Sequence, residues 1–347
     1  MSLENSTHRP LRVRATMRDV ADLSGTSLKT VSRVINGEEN VAQDTAEKVR
    51  QAAERLGYRP NFSAGSLRRS GGKTKTIGLL LENIANPFSS SLHRAIEEIA
   101  RKHEVIVLAG SLDEDPERER ELTEAFVSRR VDGLIVVPAG DDQSYLQSEI
   151  DSGTALVFVD RAPTGVAADT VVSTNAKGAH EATMHLIHHG HTKIAYLGDY
   201  ATIYTGAERL EGYKRALKEN KIAYNPDYVL QGYHSPEEAE IALRALLNRP
   251  DRPTAIFASQ NLVTIGALRA LHHSNLQHRV ALVGFDEIPG ADLFDPPVTL
   301  VAQDVLAMGE AAANLLFSRL NGDTSAPKHV EIPTTLNLRG SGEIPAK

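Results

Sequence analysis

From Thr76 onward the chain alternates short apolar runs with amphipathic stretches, and no other feature restricts its fold as tightly. The strand-like runs are 77–81, 105–109, 133–137, 155–159, 194–197, 255–258 and 280–283, with helical segments such as 87–103, 116–130 and 236–247 between them. Such alternation reads as βαβ units, which build doubly wound parallel sheets with ligands at the carboxyl ends of the strands. That fold hosts many chemistries and defines none by itself. At 347 residues the chain exceeds one ordinary core and suits two or three domains.

Charge divides the chain unevenly. Residues 1–75 carry 14 Lys/Arg against 8 Asp/Glu, and residues 76–347 carry 24 against 37, so +6 and −13 make up the net −7. A small basic module on a large acidic body implies a polyanion contact confined to one end. There is no cysteine, which excludes disulfides and thiolate metal sites and fits a reducing compartment. No uncharged apolar run approaches a membrane span, and the polar, basic start does not read as a secretory signal.

Within the basic module, Thr16 and Asp19 have the spacing of a capped helix start, followed by Val20, Ala21 and Leu23. Gly25-Thr26 breaks that helix, and Ser27 can cap a second one carrying Leu28, Val31, Val34 and Ile35 at helical spacing. A third helix is expected over about 43–56, with Ala46, Val49, Ala53 and Leu56 as its stripe and Gly57 as its stop. Two short helices around a tight turn and a bracing third are helix-turn-helix geometry. The outer side of the second helix presents Leu28, Lys29, Ser32 and Arg33 and no acid. Arg and Lys donate to guanine O6 and N7, an apolar tip suits a thymine methyl, and hydroxyls at a helix start hold phosphates.

The run M-R-D-V-A-D-L-S-G-T-S-L-K-T-V-S-R-V-I-N-G at 17–37 and the run V-R-Q-A-A-E-R-L-G-Y-R-P-N at 49–61 closely resemble the headpiece of the LacI–GalR family of bacterial repressors. The resemblance implies that Leu28 and Lys29 are a variable specificity pair and Arg33 a third base contact. Thr30, Ser32 and Asn36 would be backbone-positioning contacts, with Thr16 and Ser27 at the helix starts. In the same family the linker folds on DNA into a hinge helix that enters the minor groove. The matching segment S-A-G-S-L-R-R puts Leu67 at the position of the intercalating wedge, and Gly65 departs from the usual longer side chain. A wedge of this kind unstacks a base step and bends the duplex. Gly71-Gly72-Lys73-Thr74 ends like a phosphate-binding loop, but Leu67 stands where its first glycine is required.

The remainder is similar to the same family's sensor, itself similar to periplasmic sugar-binding proteins. The matching motifs are N-P-F, D-E-D-P-E-R-E-R-E, R-R-V-D-G-L-I-V, V-F-V-D-R, G-H-T-K-I-A-Y-L-G, E-R-L-E-G-Y and V-G-F-D-E. The resemblance implies two similar subdomains crossed three times by the chain, with an effector in the cleft between them. Its effector positions fall on Asn86, Phe88, Asp160, Arg161, Arg209, Gln260, Asp286 and Gln303. Carboxylates that accept hydroxyl protons, a guanidinium fork and a ring for C–H faces suit a polyol. Three positions depart from the pattern: Ser89 where a second aromatic is common, Gln260-Asn261 for Asn-Asp, and Thr174-Asn175 for Asp-Asn.

The expected architecture is a small all-α helix-turn-helix headpiece (16–61) plus an α/β periplasmic-binding-protein-like sensor of two doubly wound parallel-sheet subdomains (76–340). A disordered tail at 1–15 and a hinge at 62–75 complete it. The N-subdomain is expected at about 76–160 and 292–325, and the C-subdomain at about 162–290 and 327–340. His180, His185, His188, His189 and His191 raise a metal reading, since His185 and His189 share a helix face. The stretch also matches an ordinary helix end, so no metal and no cofactor are expected. No nucleophile motif or paired catalytic unit is visible, which argues against a sugar-processing enzyme. The expectation is a cytoplasmic, homodimeric repressor of an operator, nucleoid-associated when bound. Its effector would be sugar-like or, alternatively, a purine, nucleoside or sugar phosphate. No segment for a tetramer and no membrane contact are expected.

Overall fold

The structure is a computed structural model, and it describes residues 15–38, 40–59 and 73–346. The chain forms two compact units divided between Thr74 and Lys75. The expected tail up to residue 14 and the hinge calls on Gly65 and Leu67 lie outside the described residues.

The first unit holds α1 (Met17–Ser24), α2 (Leu28–Ile35) and α3 (Gln43–Leu56). Thr16 closes a reciprocal capping box with Asp19, and Gly25 ends α1 in the left-handed region at φ 65°, which glycine adopts without a Cβ penalty. Val20, Ala21, Val31, Val34, Ala46, Val49, Ala52 and Ala53 form one buried core. Two residues differ from the expected stripes: Leu23 is 46% exposed and Leu56 is 37% exposed. Each lies in the final turn of its helix, and Ala52 takes the buried position on α3 instead.

The second unit begins with β1 (Thr76–Leu81), α4 (Pro87–Lys102), β2 (Ile106–Ser111), α5 (Pro116–Ser128), β3 (Gly133–Val136), α6 (Gln147–Asp151), β4 (Ala155–Val159) and β5 (Asp169–Ser173). It continues with α7 (Asn175–His188), β6 (Ile194–Leu197), α8 (Tyr204–Glu219), β7 (Val229–Leu230), α9 (Pro236–Leu247), β8 (Ala255–Ala258), α10 (Asn261–His273), β9 (Ala281–Phe285) and β10 (Thr299–Gln303). It closes with α11 (Val305–Leu320), β11 (His329–Ile332) and β12 (Thr334–Asn337).

Two six-stranded sheets result, ordered β11-β5-β4-β3-β1-β2 and β12-β10-β9-β8-β6-β7. Every pairing is parallel except β10 with β12. Helices cover both faces, so all but the edge strands β2, β7, β11 and β12 are buried on both sides and read as continuous apolar runs. Separate cores lie on either side of the first sheet, around Ile77–Leu79–Ile96–Leu316 and around Leu80–Phe126–Phe158, and the second sheet repeats the pattern. At Gly212 in α8 a Cβ would collide with the Ala176 carbonyl oxygen of α7. Glycine there lets the two helices close together and fixes the helix that carries Arg209.

The three crossings between lobes lie later than expected. They fall between β5 and α7, between β10 and α11, and between β11 and β12. The expected break near residue 161 fails because β5 first adds to the N-terminal lobe, pairing Val157 with Asp169 and Phe158 with Thr170. The expected return at 292 fails because β10 pairs with β9, and the expected exit at 327 fails because β11 pairs with β5. Thr174 and Thr334 join two crossings, with the Thr334 backbone N–H donating to Thr174 Oγ1 at 3.0 Å, which accounts for a threonine at that departure. No described helix is long and apolar enough to cross a membrane.

Candidate functional site

The headpiece offers one surface. Ser27 caps α2, its Oγ accepting from the Thr30 backbone N–H at 3.1 Å and lying 2.9 Å from Thr30 Oγ1. Leu28 is 50% exposed although apolar, and Lys29 beside it is exposed. Arg33 Nε donates to Glu38 Oε2 at 3.1 Å, so the acid missing from α2 itself is supplied just beyond it. Asn36 closes the helix, its Nδ2 donating to the Ser32 carbonyl and, at 3.0 Å, to Ser32 Oγ. Thr16, Ser27, Ser32 and Asn36 therefore all act in local capping, while Leu28 and Lys29 project freely.

The second surface is a cleft between the lobes, at the carboxyl ends of both sheets where the strand order reverses. The cleft is narrow in this structure, with a cavity of about 50 Å³, and it is partly open to solvent. Asn86, Phe88, Asp160, Arg161, Arg209, Gln260, Asp286 and Gln303 all line it. Strand ends and helix caps place them. Asn86 caps α4 and Gln260 caps α10, and Gln303 ends β10 at a crossing.

Asp160 and Asp286 occupy matching positions in the two lobes. Each follows the last residue of a strand with left-handed backbone, at φ 70° and 67°, a conformation Asp tolerates better than most residues. Each is pinned by its own N–H, to the carbonyls of Val171 and Val301. Their side chains then diverge in partners. Asp286 accepts from Gln303 Nε2 at 2.6 Å and lies 3.5 Å from Arg209 Nη1. Arg209 is held by Asn175 Oδ1 at 2.8 Å and the Ser259 carbonyl at 2.7 Å, over the Phe285 ring. Arg161 is clamped by both oxygens of Glu114 at 2.6 and 2.5 Å and by the Pro138 carbonyl, so it stands 3.5 Å from Asp160. Burial therefore outweighs the Arg161 charge at Asp160 and pushes its carboxyl up to about 6. For Arg161, burial pulls the guanidinium down, but Glu114 and Asp160 more than offset it, and the group stays charged.

The motifs missed part of the lining: Glu82, Asp199, Thr205, His234 and Ser259. His234 is the centre of that set. Its Nδ1 faces both Asp199 oxygens at 3.0 Å and its Nε2 faces Glu82 Oε1 at 3.0 Å. These hydrogen bonds overcome burial and push the imidazole up to about 10. Glu82 belongs to the N-terminal lobe, so this pair spans the cleft, as does the bond from Asn261 Nδ2 to Asn86 Oδ1 at 2.7 Å. Glu82 directly follows the strand-like run 77–81 and Asp199 comes two residues after the run 194–197, a signal the sequence does carry. His234 follows the two-residue strand β7 and has no such signal.

A helix-turn-helix unit followed by a two-lobed α/β sensor defines a DNA-binding transcriptional regulator, not an enzyme. The model for "Bacterial regulatory proteins, lacI family" matches residues 16–61, and that for "Periplasmic binding protein-like domain" matches residues 183–342. The ribose operon repressor of Haemophilus influenzae is 31% identical over 329 residues, covering 94% of this chain and 98% of its own. The HTH-type transcriptional repressor PurR of Histophilus somni is 29% identical over 334 residues, with the same coverages of 94% and 98%. The Lac repressor dimer bound to operator and the anti-inducer ONPF is 25% identical with a TM-score of 0.82, covering 95% of this chain and 99% of that one. The chain belongs to the lacI family of bacterial regulatory proteins.

Proposed function

We propose that this regulator works as a homodimeric repressor whose operator affinity is set by an uncharged, sugar-like polyol in the cleft. One observation carries the reading. Arg161 Nε and Gln303 Oε1 are buried without a hydrogen-bond partner among the described residues, and they sit with the Asp160 and Asp286 carboxylates on one wall-to-wall lining. Buried polar groups are expected to be satisfied, and a set of donors and acceptors lining one cleft suits a ligand with several hydroxyls. The lining carries Glu82, Asp160, Asp199 and Asp286 against Arg161, Arg209 and His234, a balance that disfavours a phosphate. The similarity to a ribose operon repressor supports the sugar class. The similarity to PurR keeps a purine as the second reading, although Phe88 is the one six-membered aromatic ring in the lining.

On the DNA side, Leu28, Lys29 and Arg33 read bases, while Thr30, Ser32 and Asn36 hold the helix against the backbone, and Leu67 enters the minor groove. A dimer follows from the two-fold logic of such readers, one headpiece per half-site, and the operator-bound Lac repressor dimer supports it. Calorimetry with ribose, hexoses and their phosphates tests the effector. Free sugars should bind and change operator affinity in gel shifts, and phosphates should bind more weakly. Asp286→Ala should abolish the response while basal operator binding survives. Tight binding of a phosphorylated or purine ligand with plain sugars inert would overturn the polyol reading.

A further inference from the structure

The C-terminal lobe carries a second cluster, on a helix end that the cleft does not use. His185 lies on the last turn of α7 and His189, four residues on, is its C-cap, so their side chains share one face. Their ring centroids are 4.5 Å apart. The carboxylate of Glu343, from the final segment of the chain, meets both: Oε1 lies 2.9 Å from His185 Nε2 and Oε2 lies 3.1 Å from His189 Nε2.

Hydrogen bonding does not account for this arrangement. His185 Nε2 and Glu343 Oε1 are both buried, and neither makes a hydrogen bond of normal geometry to a described residue despite their separation. The oxygen stands beside the axis of the ring nitrogen rather than on it. At His189, Nδ1 donates to the His185 carbonyl at 2.9 Å, which turns Nε2 toward Glu343. A ring nitrogen from each histidine and a carboxylate oxygen of Glu343 all lie within 4.8 Å of one another, close enough for a single ion with ligand bonds of about 2.0–2.2 Å to draw them together. A carbonyl accepting from the non-ligating nitrogen is also how metal-bound imidazoles are oriented.

The third ligand is held in place independently. His191 Nε2 donates to the Ile344 carbonyl at 2.8 Å, and the Ala346 N–H donates to the His189 carbonyl at 3.1 Å. Ile344 packs on the core beneath α7. Glu343 is therefore presented by backbone bonds on its C-terminal side rather than by its own contact with the histidines.

We propose that His185, His189 and Glu343 bind a divalent first-row transition-metal ion that fastens the C-terminal segment to α7. Two imidazoles and one carboxylate favour zinc, nickel or copper over magnesium or calcium, which prefer all-oxygen sites. The remaining coordination positions go to water. The ion is structural, remote in sequence and in chemistry from the effector residues.

The test uses the full chain, stripped with EDTA and dialysed. Zinc chloride titrated into it should bind at one ion per chain in calorimetry and raise the melting temperature with concentration, as any ligand of the native state does. Magnesium chloride should do neither. Glu343→Gln and, separately, His189→Gln should weaken zinc binding at least ~10-fold and shrink the melting shift. Glu343 is partly exposed, so its variant keeps the test independent of any folding defect in the histidine variant. Zinc binding of equal strength in wild type and Glu343→Gln, or no saturable binding to wild type, would overturn the proposal and leave a carboxylate resting between two histidines.

Discussion

The headpiece and the cleft use the same side-chain chemistry in opposite surroundings. In the headpiece, the Arg33–Glu38 pair leaves its side chains 41% and 42% exposed. In the cleft, Arg161 and Glu114 are 8% and 12% exposed, and Arg209 and Asp286 are 4% and 9% exposed. Water and salt screen the first pair, whose contribution is small. The second group has already lost its hydration, so each charge depends on its protein partners. A surface built to release counterions on DNA can leave its cations free. A cleft that must hold its shape around a small ligand cannot.

The largest expected effect breaks or confirms that contrast directly. Arg161→Met removes the cation that Glu114 grips with both oxygens and leaves Glu114 and Asp160 buried without it. Breaking a buried pair from one side costs about 3–5 kcal/mol. Urea denaturation of the sensor should show a loss of that order. A variant as stable as the parent would mean that water already reaches these carboxylates, and the distinction between the two regions would collapse.

A smaller effect sharpens the other side. Lys29 is exposed, so Lys29→Ala should leave thermal stability unchanged. It should instead remove about 1–3 kcal/mol of discrimination at one base position in each half-site. Binding measured on operator variants over a range of salt separates the outcomes. A uniform loss on all sequences would make Lys29 a phosphate contact. Effector affinity in the buried cleft should depend on salt far less than operator affinity does.

The two regions also differed in how far the sequence disclosed them. The headpiece was legible almost residue by residue because its signals are local: a capping box four residues long, a left-handed glycine, apolar residues on one turn. The seven strand-like runs were legible for the same reason. β5, β7, β10, β11 and β12 were not, and the crossings shifted with β5, β10 and β11. β5 opens on Asp169, whose carboxylate is neutralised by Arg319 at 2.7 and 2.8 Å, 150 positions away. β11 alternates exposed and half-buried residues at a sheet edge. The cleft residues followed from family motifs, but Glu114 as the clamp on Arg161, and His234 between Glu82 and Asp199, depend on distant segments meeting. Glu343 likewise gives the histidine pair of α7 a third partner that no local pattern contains.

The smallest expected effect concerns His234, where the two lobes touch through one ring. The fold gives this imidazole two carboxylate partners that the unfolded chain lacks, raising it from its ordinary value of 6.5 to about 10. A group raised on folding stabilises the native state fully below its unfolded value, and the contribution disappears as pH climbs through its folded value. The stabilisation should therefore be complete below about pH 6.5, still substantial at neutral pH, and gone above pH 10. The ring is 27% exposed, which moderates the Coulomb contribution, so His234→Gln should cost about 1 kcal/mol at pH 7. Lysines and tyrosines titrate over the same alkaline range, but they do so in both proteins and cancel in the difference. Glu82 and Asp199 face the ring through its two nitrogens, and Tyr200 stacks on it with centroids 6.0 Å apart. The stability difference between parent and variant, followed by urea titration at successive pH values, should shrink to nothing as the ring loses its proton. A difference that stayed constant across that range would show that His234 acts by packing against Tyr200 and carries no charge across the cleft.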